Sequence, residues 1–377
     1  MSDMRQLLEI AKSDSPPARM TVDDIVVSGR RRVRRRRLGR SAGAVGGASM
    51  AVAALVLATT TLLPEGSGPG DAAAVGGPAA VPEGANAATS GLTHTFTGYE
   101  IGDYRVVDSM QVTAGYQSTA IERSNLDVGD GPTITVHAGT LTVYRPGVFR
   151  PERFSSGSRV VVQGREGYAT TLGVEMQFGD ARRDADDRRT LRTETVQLPA
   201  LAWQYADGAW ATIESDNIGE RGVPAQIQQQ LAERFAVGQP TQARLPYRAS
   251  YLPAGWQLVS AGRSLVPGDT AVSLAQYARQ APDVGSLTTR VDLDDPEAPY
   301  LRVSVAPVET EGPYAHPVTP PCSTEGHFCD VKIDSRYYAE VHDQSGTLST
   351  DEIEKIAEGL EFADPAEPGG WYPVAGG

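Results

Sequence analysis

A run of 23 uncharged residues, Ser41 to Leu63, directly follows a block of arginines, and this junction constrains the rest of the chain. At 1.5 Å per residue such a run makes a helix of about 34 Å, enough to cross the hydrocarbon core of a bilayer. The block comprises Arg30, Arg31, Arg32, Arg34, Arg35, Arg36, Arg37 and Arg40. Positive charge stays on the cytoplasmic side, which puts the N-terminus inside and the C-terminal bulk outside. The preceding 40 residues are long for a signal-peptide n-region, and the apolar run exceeds an ordinary h-region. A retained signal anchor is therefore the first reading. Cleavage near Ala72-Ala73-Ala74 is the competing one.

Charge is divided along the same line. Residues 1–40 carry eleven basic and five acidic side chains, whereas the whole 377-residue chain carries a net charge of −13. The exported bulk is thus strongly acidic, which argues against a nucleic-acid binder. In the tail, Met4, Leu7, Leu8 and Ala11 recur at helical spacing and Pro16-Pro17 ends that helix. Thr21 and Asp24 then open a second helix that runs through the arginines, as a membrane-surface element would. The tail has neither Cys nor His, so it is not a zinc-bearing anti-sigma domain.

Beyond the span the chain divides into a Gly/Pro/Ala linker (64–92), an exported module (93–243), a second module (244–366) and a short tail (367–377). Both modules show short alternating runs that predict half-buried antiparallel strands. Examples are Thr133–His137, Leu141–Tyr144, Arg159–Gln163, Val174–Phe178, Trp210–Ile213, Leu301–Val305 and Tyr337–Val341. Each module closes with one helix. The first is predicted over 224–237, with Pro224 at its first position and Ile227, Leu231 and Phe235 on one stripe. The second is predicted over 350–362, capped by Ser349 or Thr350.

These elements recur in order. Asp103–Val107 matches Gly255–Val259, and Leu141–Val143 matches Leu301–Val303. Ala209–Ser215 matches Tyr337–Asp343, and Leu231–Phe235 matches Ile356–Leu360. A duplicated module follows, with the seam near Gly238–Pro246 and a polar loop, 179–194, as the extra material of the first copy. The fold class is α+β: one N-terminal transmembrane helix, then two related modules, each an antiparallel sheet with a late helix.

This layout resembles single-pass membrane proteins common in actinobacteria. The Gly164–Tyr168 turn, the Trp203–Gly208 hairpin, Tyr251–Trp256 and the Ile356–Leu360 helix are similar to an exported module found behind anti-sigma factor membrane spans. Gly370–Val374 resembles a tail of the actinobacterial group. The resemblance implies location and architecture, and it implies no catalytic residue.

Candidate chemistry is sparse. Cys322 and Cys329 lie in an exported segment, where a disulfide is the natural reading over a metal site with His327. Histidines 94, 137, 316, 327 and 342 fall in no HExxH motif, and no GxSxG elbow occurs. The clusters Asp184, Asp186, Asp187 and Asp292, Asp294, Asp295, Glu297 are predicted solvated turns rather than calcium loops. Residues 313–321 are a proline-rich connector. Trp203, Trp210 and Trp256 are predicted core.

No catalytic residue, cofactor or metal ligand is therefore assigned. The expectation is a non-catalytic binding or sensing protein of the cell envelope, partnered by the membrane and by an envelope protein or the cell wall. A lipid or lipoprotein carrier, which requires an apolar cavity, is the alternative. An exported hydrolase ranks behind both, and would require a His and a carboxylate to converge in a pocket.

Overall fold

Strands β1 to β10 run Thr93–His94, Tyr99–Ile101, Tyr104–Val106, Gln111–Thr113, Tyr116–Leu126, Ile134–Tyr144, Ser158–Val162, Arg165–Arg183, Arg189–Ala206 and Ala209–Ser215, and helix α1 (Ala225–Arg234) follows. Strands β11 to β19 run Thr241–Gln242, Arg244–Leu245, Tyr247–Ala249, Gln257–Gly262, Ser273–Ala278, Leu301–Pro307, Cys322–Ser323, Phe328–Lys332 and Tyr337–Asp343. Helix α2 (Thr350–Glu358), β20 (Leu360–Phe362) and β21 (Tyr372–Pro373) complete the chain. This computed structural model describes residues 92–126, 133–183, 189–217, 219–265, 271–280, 282, 287–291, 299–308, 322–323 and 327–374. The arginine block, the 41–63 run, the linker up to residue 91, both acidic clusters, His316 and residues 313–321 lie outside the described residues. Among the described residues no helix is long and apolar enough to cross a membrane.

Fifteen strands form one antiparallel sheet, ordered β17-β18-β19-β16-β15-β14-β4-β5-β6-β10-β9-β8-β7, with β3 also paired to β5 and β2 to β3. Strand β4 joins the two halves: it pairs β5 on one side (Gln111↔Ser118) and β14 on the other (Val112↔Ala261, Thr113↔Ser260). Away from this seam the halves follow one plan. In the first, β5-β6-β10-β9 is followed by α1 after β10; in the second, β15-β16-β19-β18 is followed by α2 after β19. The four pairs of matching segments sit at equivalent places in this order. β3 and the start of β14 flank β5 and β15, β6 answers β16, β10 answers β19, and the two helix ends correspond.

Period-two alternation sorts side chains onto two faces. Leu141, Val143, Leu201, Trp203, Ala211 and Ile213 form the core with Leu231, Ala232 and Phe235 of α1. Trp203 is fully buried, edge-on to Phe235 at 5.8 Å. Ile353, Ile356 and Ala357 of α2 pack likewise on Val303, Val305, Cys329 and Val341. Val112 belongs to the α2 core, and its register partner Gln117 shares a face with Ile121 of the α1 core. The two helices therefore lie on one side of the sheet, leaving the opposite face helix-free. Short pairs tie the ends of the halves together: β1 with β11, β12 with β21 and β13 with β20.

Several elements differ from their sequence expectation. Helix α1 covers 225–234 rather than 224–237: Pro224 is the N-cap, and extended geometry at Phe235 (ψ 134°) ends the helix. Helix α2 stops at Glu358, because residues 360–362 pair as β20 with β13. Its N-cap is Ser349, whose hydroxyl accepts from Glu352 N while the Glu352 carboxylate accepts from Ser349 N. The predicted loop over 179–194 is mostly strand, because the β8–β9 ladder continues through Gly179↔Leu191 to Arg183↔Arg189. The two runs 133–137 and 141–144 are one strand, β6, with a register shift against β5 between Ile121 and Glu122.

Candidate functional site

The helix-free face of the first half carries the richest chemistry among the described residues. Register partners form one transverse row of Gln111, Ser118, Thr142, Thr212, Ala202 and Tyr168. The adjacent row is Ala120, Thr140, Glu214, Ala200 and Thr170. On β9 both rows hold only alanine. The small side chain at Ala202 lets Tyr168 of β8 and Trp210 of β10 meet across the strand between them, nearly parallel (17°) with centroids 6.0 Å apart.

From Trp210 the rings continue inward. Trp210 lies 6.5 Å from Phe149, and Phe149 stacks on Tyr144 at 4.2 Å. Tyr144 then lies 5.9 Å from Tyr116. The inner rings are buried, whereas Tyr168 and Trp210 are half-buried. The second half contributes a cover. Leu287 bridges Phe149 in parallel, with Arg150 N donating to Leu287 O (2.7 Å) and Leu287 N to Val148 O (2.8 Å). The Tyr116 hydroxyl donates to Val291 O at 3.0 Å. Leu287 and Val291 complete the apolar packing around these rings.

Two carboxylates stand two residues apart on the same face. Asp216 Oδ2 lies 2.8 Å from His137 Nε2 and accepts from Thr140 Oγ1 at 2.7 Å. The shifted register of β6 makes this convergence possible: Ala138 turns into the α1 core while His137 and Thr140 both reach Asp216. Gly139 sits where β6 and β10 approach most closely, since a Cβ there would lie 2.6 Å from Glu214 O. Asn217 Nδ2 fixes the His137 carbonyl at 2.6 Å. Burial pushes the Asp216 carboxyl up, but the hydrogen bonds and charge of His137, with Thr140 and Arg290, outweigh it and hold it low. Burial raises the Glu214 carboxyl and Asp216 adds to the effect, outweighing the opposing pull of Arg153, 4.0 Å away, and of Arg290.

A histidine and a carboxylate therefore do converge, as a hydrolase would require. The wiring is not that of a relay. In a nucleophilic triad the histidine stands between hydroxyl and carboxylate. Here the hydroxyl of Thr140 and the ring of His137 meet the same carboxylate oxygen, so Asp216 is the hub and the hydroxyl donates away from the ring. The arrangement ties the ends of β6 and β10 together.

The sequence-assigned residues fall elsewhere. Cys322 and Cys329 form a disulfide across register partners of β17 and β18, with Cys329 buried in the α2 core. The assigned arginines lie outside the described residues. Trp203 is core as expected, and Trp256 is buried with the Arg279 guanidinium 5.4 Å above its ring. Trp210 departs from the core expectation because one side of β10 faces the half-open patch. His94 binds the Ser109 hydroxyl at 2.8 Å, and His342 lies edge-on to Phe328. Among the described residues no group of three His, Cys, Asp or Glu side chains is placed to hold a metal ion. A shallow groove of about 500 Å³ on the helix side is lined by Ile101, Gln226, Gln229, Gln230, Glu233 and Arg234.

The helix-free patch had a signal in the sequence. In Trp210-Ala-Thr-Ile-Glu-Ser-Asp216 every even position is aromatic or polar, which is the signature of a chemically active strand face.

No family model and no curated protein matches the chain. Among solved structures, the complex of Pseudomonas aeruginosa MucA/MucB aligns at 14% identity, over 68% of this chain and 93% of that chain, with a TM-score of 0.20. The likeness is loose, and neither fold nor function follows from it.

Proposed function

We propose that this chain is a tethered, extracytoplasmic binding or sensing protein of the cell envelope, and that it works without turnover. The helix-free patch carries the reading: Tyr168 and Trp210 keep ring surface half open beside polar side chains, while the nearby His137–Asp216–Thr140 cluster is consumed by its own hydrogen bonds. Such a surface binds through rings and rim rather than through an activated nucleophile. Topology supports the location. The arginine block before an uncharged 23-residue run retains the N-terminus inside and directs the acidic bulk outward. The disulfide in the second half suits an oxidising compartment. The apolar space behind the sheet favours this reading over a lipid carrier, because Phe149, Phe154, Leu287 and Val291 fill the area around Tyr144.

The test places a photo-crosslinking amino acid in living cells, at position 168 on the patch and at the exposed position 229 on α1. The proposal predicts discrete adducts in the envelope fraction from 168 and none from 229. Adducts from 229 alone, or from neither site, contradict it.

A further inference from the structure

We infer that the Tyr168–Trp210 patch is a subsite for neutral carbohydrate; this deepens the binding reading above and rests on it. A pyranose ring has an apolar C–H face and a hydroxyl edge. It fits an aromatic surface that is open on one side and bordered by donors and acceptors. Tyr168 and Trp210 provide that surface, nearly parallel at 6.0 Å. They are half-buried, unlike Trp203, which the core encloses completely.

The border has hydrogen-bonding capacity to spare. Among the described residues the Trp210 indole N–H has no protein acceptor, and the carboxamide of its register partner Gln204 has no protein partner. Tyr168 OH donates to Glu166 Oε1 at 2.7 Å, which leaves the second carboxylate oxygen available. Arg159, the register partner of Tyr168, is 82% exposed, and its Nε lies 4.0 Å from that carboxylate.

Charge selects the ligand class. At this border one carboxylate and one guanidinium stand side by side, so a phosphate, a uronate or an amine meets no unopposed charge there. Mixed donors and acceptors around rings suit hydroxyl groups, each of which both donates and accepts. A lipid chain would leave the Gln204 amide and the Trp210 N–H facing hydrocarbon, at the cost of unsatisfied polar groups.

The experiment uses the full chain in detergent, titrated with two uncharged probes, a tetrasaccharide of N-acetylglucosamine and one of glucose. Tryptophan fluorescence and calorimetry follow binding. Saturable binding of at least one probe is expected, weakened roughly tenfold in Gln204→Ala and in Glu166→Ala. Both of these substitutions lie outside the core, so their melting curves should match the parent. Trp210→Leu should abolish the fluorescence change, and Tyr168→Leu serves in its place if that variant does not fold. No saturable binding at millimolar probe, or binding indifferent to Gln204→Ala and Glu166→Ala, overturns the inference. Crosslinked adducts from position 168 in the absence of sugar binding would leave the binding reading intact and reject only the carbohydrate.

Discussion

Glu214 and Asp216 share one strand face yet are driven in opposite directions, because hydrogen bonds with His137 and Thr140 outweigh burial at Asp216, whereas burial dominates at Glu214. The linkage signs follow. Asp216 is held below its unfolded value, so its contribution to stability is present above about pH 4 and is lost as pH falls through its folded value. Glu214 is raised, so it favours the fold while protonated and that contribution is lost as pH rises through its folded value. Glu214→Gln, neutral at every pH, should therefore gain on the parent as pH rises from about 4 to 7, whereas the deficit of Asp216→Asn should be constant over that range and shrink as pH falls below about 4. Urea midpoints from about pH 2 to 7 check both. Parallel pH profiles for the parent and both variants would contradict the assignment.

Among elements, the β4–β14 seam depends on Gly262. Its φ of 141° suits glycine, and a Cβ there would lie 1.8 Å from Met110 O. Gly262→Ala should force the seam apart and lower stability by about 1–3 kcal/mol or more. Backbone amides of β4 and β14 should then exchange hydrogen much faster, while those of β8 and β9 change little. The disulfide closes a short loop between cysteines seven residues apart, so reduction should cost about 2–3 kcal/mol, visible as a lower urea midpoint with reductant. An unchanged midpoint would show that β17 and β18 hold without it.

Strand existence was legible at this scale because alternation is local, and Ser349 with Glu352 marked the start of α2. Other features depended on distant partners. Residues 360–362 continue a helical pattern in sequence but are claimed by β13, far upstream. The 179–194 segment is polar enough to be a loop, yet its two sides pair with each other, across one register shift between Gly179 and Arg183. The cover at Leu287 and Val291 carries no local signal at all, because it is defined by packing against Phe149 and Tyr116 in the other half. The candidate site was legible only as the alternating 210–216 strand. Its register partner Thr140, its ring neighbour Tyr168 and its hydrogen-bond partner His137 come from other strands.

At the scale of the whole molecule, the repeated strand order and the four matching segments are explained by one sheet-plus-helix unit copied in tandem, and we propose that origin. In the described structure the copies are not separate beads. β4 runs their sheets together, and the 287–291 segment of the second packs on the face of the first. A ligand engaging Trp210 would thus act on a surface whose inner rings are braced by the other half, which gives a sensing role a physical route between the two. That role also requires the surface to be outside while the basic tail is inside.

The most direct measurement gives the chain different tags at its two termini, fractionates the cells and treats intact cells with protease. The account predicts one full-length membrane species that loses only its C-terminal tag. A shorter soluble fragment carrying the C-terminal tag, or a C-terminal tag protected in intact cells, would contradict it.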